Sequence, residues 1–409
     1  MTDNTKKPNN LFDFATSELS QDAFFCWSLN WLAVKEDTDD PYYKYGKAML
    51  DLFLGDNKKD EYTDVLIKKQ FVVKQENNSE DNKKGIIDIL VLFKSKGKTH
   101  ALIIEDKTHT SVHSDQIAMY KNNLSPTLEK SNDAEIEPYK NLSSENIYTT
   151  YVKTGIMYSQ DIFMKNTVNT VVDFDRLYSL LTSYSPESKE AITSDIFLDY
   201  YHYLGETKEN YEEIEEMIEN NLYVEALKTE YGRYCFLKKI FYEENGKMDL
   251  NCKDKTNEAD MNVETIKSGN NNGKVPFAEY VIWHAKQNEK MAETDQQDEE
   301  YHSIFWRIDN VTENKTISPY LALRYYSKRE NNIFDDLKEF SNKFIEKSKL
   351  KNKTIFSKKE SRKGSTERNL LYIPIRNLDG ISLTEISKVL HDINSKLTTY
   401  CKTEFENIK

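Results

Sequence analysis

The chain has 409 residues, 31% charged and 38% hydrophobic, which allows two folded domains with a sizeable core and excludes a disordered chain. Its formal net charge of −13 excludes a protein that holds nucleic acid over its whole surface. No apolar run reaches the roughly 18–20 residues of a membrane span, and Met1–Asn10 is polar, with no secretory core. Cys26, Cys235, Cys252 and Cys401 are far apart, so a reducing cytoplasm is expected, with neither a zinc site nor a disulfide framework.

Taken in order, helical periodicity runs from Ser17 to about Ala33, with Leu19, Ala23, Trp27 and Trp31 on one stripe and Ser17 as cap. A second amphipathic helix spans about Tyr43–Leu54 and ends at Gly55. Strands are expected at Val65–Val73, Ile86–Phe93 and Ala101–Ile104, then a helix over Val112–Leu124, stopped before Pro126. Asn146–Val152 and Val168–Phe174 read as strands, followed by helices at Arg176–Leu181, Glu187–Leu204 and Lys208–Tyr242. The pattern implies an α/β core over 1–205, a helical extension over 206–243 and a polar linker over 244–274. Residues 275–409 read as an α+β domain with no catalytic motif. Its expected strands are Ala278–His284, Ser303–Ile308, Tyr320–Tyr326 and Leu370–Ile375, and its helices Ile333–Lys347 and Leu383–Thr399.

The chemistry concentrates in two apolar runs, GIIDILVLF (Gly85–Phe93) and THALIIEDK (Thr99–Lys107), joined by the turn-like Ser95–Lys98. Strand side chains alternate faces, so Glu105 and Lys107 project to one side and Asp106 to the other. A turn centred between Lys96 and Gly97 places Asp88 opposite Glu105, on the face of Lys107; a one-residue bulge at Gly97 would break that register. Two carboxylates on a hydrophobic sheet need compensation, and a divalent cation is the usual compensator.

This arrangement resembles the catalytic core of the PD-(D/E)xK nuclease superfamily, with Asp88 on one strand and Glu105-x-Lys107 on the next. SELSQDAFFCWSLNW (Ser17–Trp31) looks like the opening helix of one branch, its early acid being Glu18. DQIAMY (Asp115–Tyr120) looks like the Q-x-x-x-Y signature of the RecB-like branch, carried by Gln116 and Tyr120. Ile87 stands where the name-giving proline would be. The resemblance implies a restriction-endonuclease-like core, a mixed central sheet flanked by helices. It also implies a Mg²⁺-dependent deoxyribonuclease, endonuclease rather than exonuclease, in which Mn²⁺ can substitute. Asp88, Glu105 and the backbone carbonyl of Asp106 would hold the metal, with Glu18 reaching in from the first helix. Lys107 would position the attacking water, and Gln116 and Tyr120 would brace Lys107 or contact a phosphate. By association, the resemblance implies a place in bacterial anti-phage defence or DNA processing.

Partner contacts follow the charge. Lys153, in YVKTG (Tyr151–Gly155), resembles a recurrent feature of that branch and is a candidate DNA-facing lysine, or an ordinary strand end. Lys343–Arg368 is strongly basic, and Lys351, Lys353, Lys358 and Lys359 form either a phosphate-contacting surface or a solvated loop. The C-terminal domain would select substrate, a protein partner or a second copy. His109 and His113 lack a third soft ligand and read as surface residues. There is no P-loop and no G-x-G-x-x-G. Two rival functions share the core: a catalytically inactive nuclease-fold binding or scaffold module, and an RNA-cleaving toxin.

Overall fold

The computed structural model describes residues 9–15, 18–74, 84–108, 114–243, 266–271, 275–288, 299–313, 316–327, 333–347, 349–350, 353–357 and 366–404. They form two units, Met1–Glu209 and Asn210–Lys409, each built on a five-stranded sheet.

The first unit runs α1 (Glu18–Val34), α2 (Pro41–Leu54), β1 (Thr63–Lys74), β2 (Lys84–Ser95), β3 (Lys98–Lys107), α3 (Ser114–Glu129), β4 (Ile147–Lys153), α4 (Ser159–Ile162), β5 (Thr170–Asp173) and α5 (Phe174–Thr182); α6 (Asp195–Glu219) begins in it. The strand order is β1-β2-β3-β4-β5. The first three strands pair antiparallel, and β3, β4 and β5 pair parallel. The sheet is therefore mixed, with helices on both faces, as expected.

β2 and β3 pair from Ser95↔Lys98 to Ile89↔Ile104. Lys96 (φ 49°) and Gly97 (φ 74°) make a two-residue turn, a left-handed pair that matches the twist of the flanking strands. There is no bulge at this turn, so Asp88 and Glu105 take the next opposed positions beyond Ile89 and Ile104. On one face Ile89, Val91, Phe93, Leu102 and Ile104 pack under α1 and α2; on the other, Leu90, Leu92, Ala101 and Ile103 pack against Tyr120, Leu124 and Leu128 of α3. Burial on both faces explains why these strands read as continuous apolar runs.

Three helices differ from expectation. The buried face of α1 is Gln21, Asp22, Phe24, Phe25, Ser28, Leu29 and Leu32, whereas Leu19 is 53% exposed. Phe24 stacks on Tyr200 (centroids 3.9 Å) and Phe25 meets Phe53 edge-on (5.4 Å), while Trp27 and Trp31 pack half-buried at the edge of the same core. Pro126 does not stop α3, which continues to Glu129. It removes one N–H, but Leu124 and Leu128 straddle it one turn apart in the core, and the Thr127 hydroxyl donates to the Asn123 carbonyl at 2.7 Å. The helices expected at Glu187–Leu204 and Lys208–Tyr242 are instead α6, running unbroken through Gly205, then shorter pieces. One interior glycine costs only about 1 kcal/mol, and α6 ends at Glu219, closed by the left-handed Asn221 (φ 61°), where Leu222 N–H donates to Met217 O and Asn221 N–H to Ile218 O.

The second unit contains α7 (Tyr223–Ala226), α8 (Glu230–Lys238), β6 (Ile266–Asn271), β7 (Val275–Asn288), β8 (Glu299–Glu313), β9 (Thr316–Ser327), α9 (Ile333–Lys347), β10 (Lys349–Leu350), β11 (Lys353–Thr354), β12 (Glu367–Pro374) and α10 (Leu383–Glu404). Its main sheet is antiparallel throughout, ordered β12-β9-β8-β7-β6. β6 lies inside the segment expected to be linker: its Ser, Gly and Asn residues suggest a loop, but they pair with β7. Ile304, Trp306, Ile308, Leu321, Leu323 and Tyr325 are buried, and the Trp306 indole donates to Asn394 of α10 at 2.7 Å.

Candidate active site

The hairpin end remote from its turn is where chemistry-bearing side chains meet. The β2–β3 ladder ends at Ile89↔Ile104, so Asp88 and Glu105–Lys107 place their charge where the shared apolar pairing stops. Lys107 Nζ lies 3.1 Å from Asp88 Oδ2 and 2.9 Å from Glu105 Oε1. It also donates to the Asp106 carbonyl at 2.8 Å. The Asp106 N–H donates to Asp88 Oδ2 at 3.1 Å. Asp88, Glu105, Lys107 and the backbone of Asp106 thus converge as the sequence predicts.

Glu18, in the first turn of α1, accepts from the Thr108 N–H at 3.1 Å, which brings it to the end of β3 one residue beyond Lys107. Gln116 donates to Glu105 Oε1 at 3.2 Å and to the Tyr120 hydroxyl at 2.5 Å. Tyr120 in turn donates to the Ile86 carbonyl at 2.5 Å. This relay from α3 braces Glu105 and β2; the expected bracing of Lys107 falls to Asp88 and Glu105 instead.

Burial sets the electrostatics. Glu105 is 1% exposed, and burial, then Asp88, push its carboxyl up to about 7 against the pull of Lys107. Burial works against the Lys107 ammonium, but Glu105 and Asp88 outweigh it and raise its pKa above that of an ordinary lysine. Lys107 is therefore held as a cation at neutral pH. Behind β3, burial and then Asp88 push Asp22 up to about 6, and burial and then Asp22 raise Asp106 well above the carboxylate range.

Asp22, Gln21 and Gln70 belong to this cluster and are missed by the sequence reading. Gln70 donates weakly to both Asp22 Oδ2 (3.4 Å) and Asp88 Oδ1 (3.3 Å). Gln21 donates to Asp106 Oδ1 at 2.5 Å. The available signal is helical spacing, since Gln21 and Asp22 lie three and four residues after Glu18 and share its face.

Among the described residues no group of three or more His, Cys, Asp or Glu side chains is already arranged to hold a metal ion. The donor chemistry nevertheless fits one. Glu105 Oε2, on the face shared with Asp88, is a buried oxygen with no hydrogen-bond partner, and hard carboxylate and carbonyl oxygens are the ligands Mg²⁺ or Mn²⁺ takes.

Lys153 corrects an expectation. It is 1% exposed, so it is not a DNA-facing lysine. Its strand is internal and every residue of β4 is buried; Nζ lies 3.9 Å from Asp161 Oδ2, and Asp161 also accepts from the Tyr151 hydroxyl at 2.6 Å and the Tyr158 N–H at 3.0 Å. Of the basic run, Lys353 begins β11, without a described side chain, and Lys351, Lys358 and Lys359 lie outside the described residues, as do His109 and His113. No helix among the described residues is long and apolar enough to cross a membrane.

The Glu105 carboxyl gives a stability test. Its folded pKa of about 7 exceeds the ordinary 4.5, so its contribution is most favourable below pH 4.5 and is lost as pH rises through 7. In EDTA, Glu105→Gln is expected to be more stable than wild type at pH 8, by on the order of 3 kcal/mol, and to lose that advantage at pH 5. Urea midpoints at the two pH values check this; equal differences at both would show that charge is not the cause.

No family model matches this sequence, and neither a curated protein nor a solved structure matches it.

Proposed function

We propose that this chain is a metal-dependent nuclease with a PD-(D/E)xK-type site that hydrolyses phosphodiester bonds of DNA. The observation that carries the reading is the meeting of Asp88, Glu105 and Lys107 within 3.1 Å contacts at the end of one β-hairpin. Asp88, Glu105 and the Asp106 carbonyl would hold Mg²⁺ or Mn²⁺, with Glu18 at the edge. When bound, the ion supplies Lewis-acid polarisation of the phosphoryl group and a more acidic water. Lys107, kept protonated by its two carboxylates, orients water and offsets the negative charge that develops on the phosphoryl oxygens. Gln116 and Tyr120 hold Glu105 and β2 in place.

Plasmid DNA, single-stranded DNA and RNA incubated with Mg²⁺ or Mn²⁺ test the reading, with Lys107→Ala as control. Cleavage of DNA by wild type alone is expected. Cleavage of RNA alone would favour the toxin, and no cleavage of any substrate the inactive scaffold.

A chain at −13 cannot hold DNA by diffuse attraction, so the proposal assigns backbone contact to the basic run of the second unit. Neutralising Lys351, Lys353, Lys358 and Lys359 together is expected to weaken DNA binding and to reduce the slope of log K against log salt by up to about 3–4. Hydrolysis at saturating DNA should change much less. An unchanged salt slope would assign the run to solvent and the second unit to a protein partner or self-association.

A further inference from the structure

Asp106 carries the backbone contacts made by Asp88 and Lys107, its N–H on the one and its carbonyl under the other, while its side chain points to the opposite face. What holds that side chain therefore sets the peptide planes that face the reaction. Asp106 is fully buried, and its Oδ1 accepts from Gln21 Nε2 at 2.5 Å. The orientation of the Gln21 amide is in turn determined from its other end. Gln21 Oε1 accepts from the Thr154 hydroxyl at 2.8 Å and from the Tyr200 hydroxyl at 2.9 Å. Two hydroxyl donors on the oxygen leave the NH₂ to face Asp106 Oδ1. Gln21, Thr154 and Tyr200 are themselves buried. One side chain of α1 therefore joins the end of β3, the segment after β4 and α6 inside the first unit.

We infer that Gln21 is a positioning residue: by clamping the Asp106 carboxyl group it fixes the Asp106 peptide and, through it, the placement of Asp88 and Lys107. The inference rests on the nuclease reading for its kinetic consequence but not for its structural one. A side chain that orients direct participants without touching substrate is expected to act on turnover and metal affinity, not on DNA binding.

The test compares Gln21→Met, which keeps the length and removes the polar group, and Gln21→Glu, which replaces the amide donor with a second carboxyl group beside Asp106. Leu181→Ala, in the same core but away from the site, controls for general loss of stability. Thr154→Val, which removes one donor to Oε1, stands in if both Gln21 variants fail to fold. Two quantities are read on each full-length protein: kcat and KM for plasmid DNA across a Mn²⁺ series, and amide hydrogen exchange over residues 104–108. Both Gln21 variants should show kcat lowered about 10–100-fold, KM for DNA nearly unchanged, a higher Mn²⁺ requirement and faster exchange at Asp106. Thr154→Val should fall between them and wild type. Wild-type kcat and exchange in the variants, or equal losses in Leu181→Ala, would overturn the inference. If wild type cleaves nothing yet exchange at Asp106 still rises in the Gln21 variants, the clamp stands and the nuclease reading fails.

Discussion

Replacing Lys107 with alanine is expected to lower the cleavage rate at saturating substrate by about 10²–10⁴-fold, the range for loss of one positioned electrostatic or proton-transfer group. Lys107 Nζ sits 3.1 Å from Asp88 and 2.9 Å from Glu105, and of the three only Glu105, at 1% exposed, is fully buried, while the Lys107 and Asp88 side chains keep 14% and 18% exposure. The same substitution should lower the melting temperature of EDTA-treated protein, because it leaves two carboxylates facing each other without their cation. Adding Mn²⁺ should recover part of that stability without restoring the rate. Single-turnover cleavage and thermal denaturation, each with and without Mn²⁺, separate the two effects. A Lys107→Ala protein that melts like wild type in EDTA and cleaves within about threefold of it would remove Lys107 from the site.

Lys153→Ala is expected to act on the fold and not on DNA. It leaves Asp161, fully buried, to the Tyr151 hydroxyl and the Tyr158 N–H, and removing one member of a buried ion pair typically costs about 3–5 kcal/mol. Lys153 and Lys107 are register partners on adjacent parallel strands, so local loosening should also reduce turnover. The salt dependence of DNA binding should stay as in wild type. A surface lysine would give the reverse pattern, with unchanged urea midpoint and weaker, less salt-dependent binding.

The two lysines show where sequence reading succeeds and where it stops. The place of Lys107 follows from local rules: two apolar runs, a two-residue turn with Gly97 in the left-handed region, and a period of two that aligns Asp88 with Glu105. Lys153 sits at the end of a strand whose mixed residues, YTTYVK, suggest one exposed face. Only the tertiary position of β4, inside the sheet with cover on both sides, buries its threonines, tyrosines and lysine together. Gln21 and Asp22 are legible as members of Glu18's helical face, but not as partners of Asp106 and Gln70, because those pairings span 85 and 48 residues of sequence. The ends of α3 and α6 were obscured for a different reason: Pro126 does not break α3 where Leu124 and Leu128 are buried on either side of it, and the single glycine Gly205 costs α6 only about 1 kcal/mol.

Plasmid cleavage in Mn²⁺ by wild type and by purified Asp88→Ala/Glu105→Ala double variant tests the central claim most directly, given a far-ultraviolet spectrum that shows the variant folded. The carboxylates of Asp88 and Glu105 are proposed as direct holders of the ion, so wild type should cleave and the double variant should show no divalent-dependent cleavage at any Mn²⁺ concentration. Undiminished cleavage by the double variant would contradict the assignment of this hairpin as the active site.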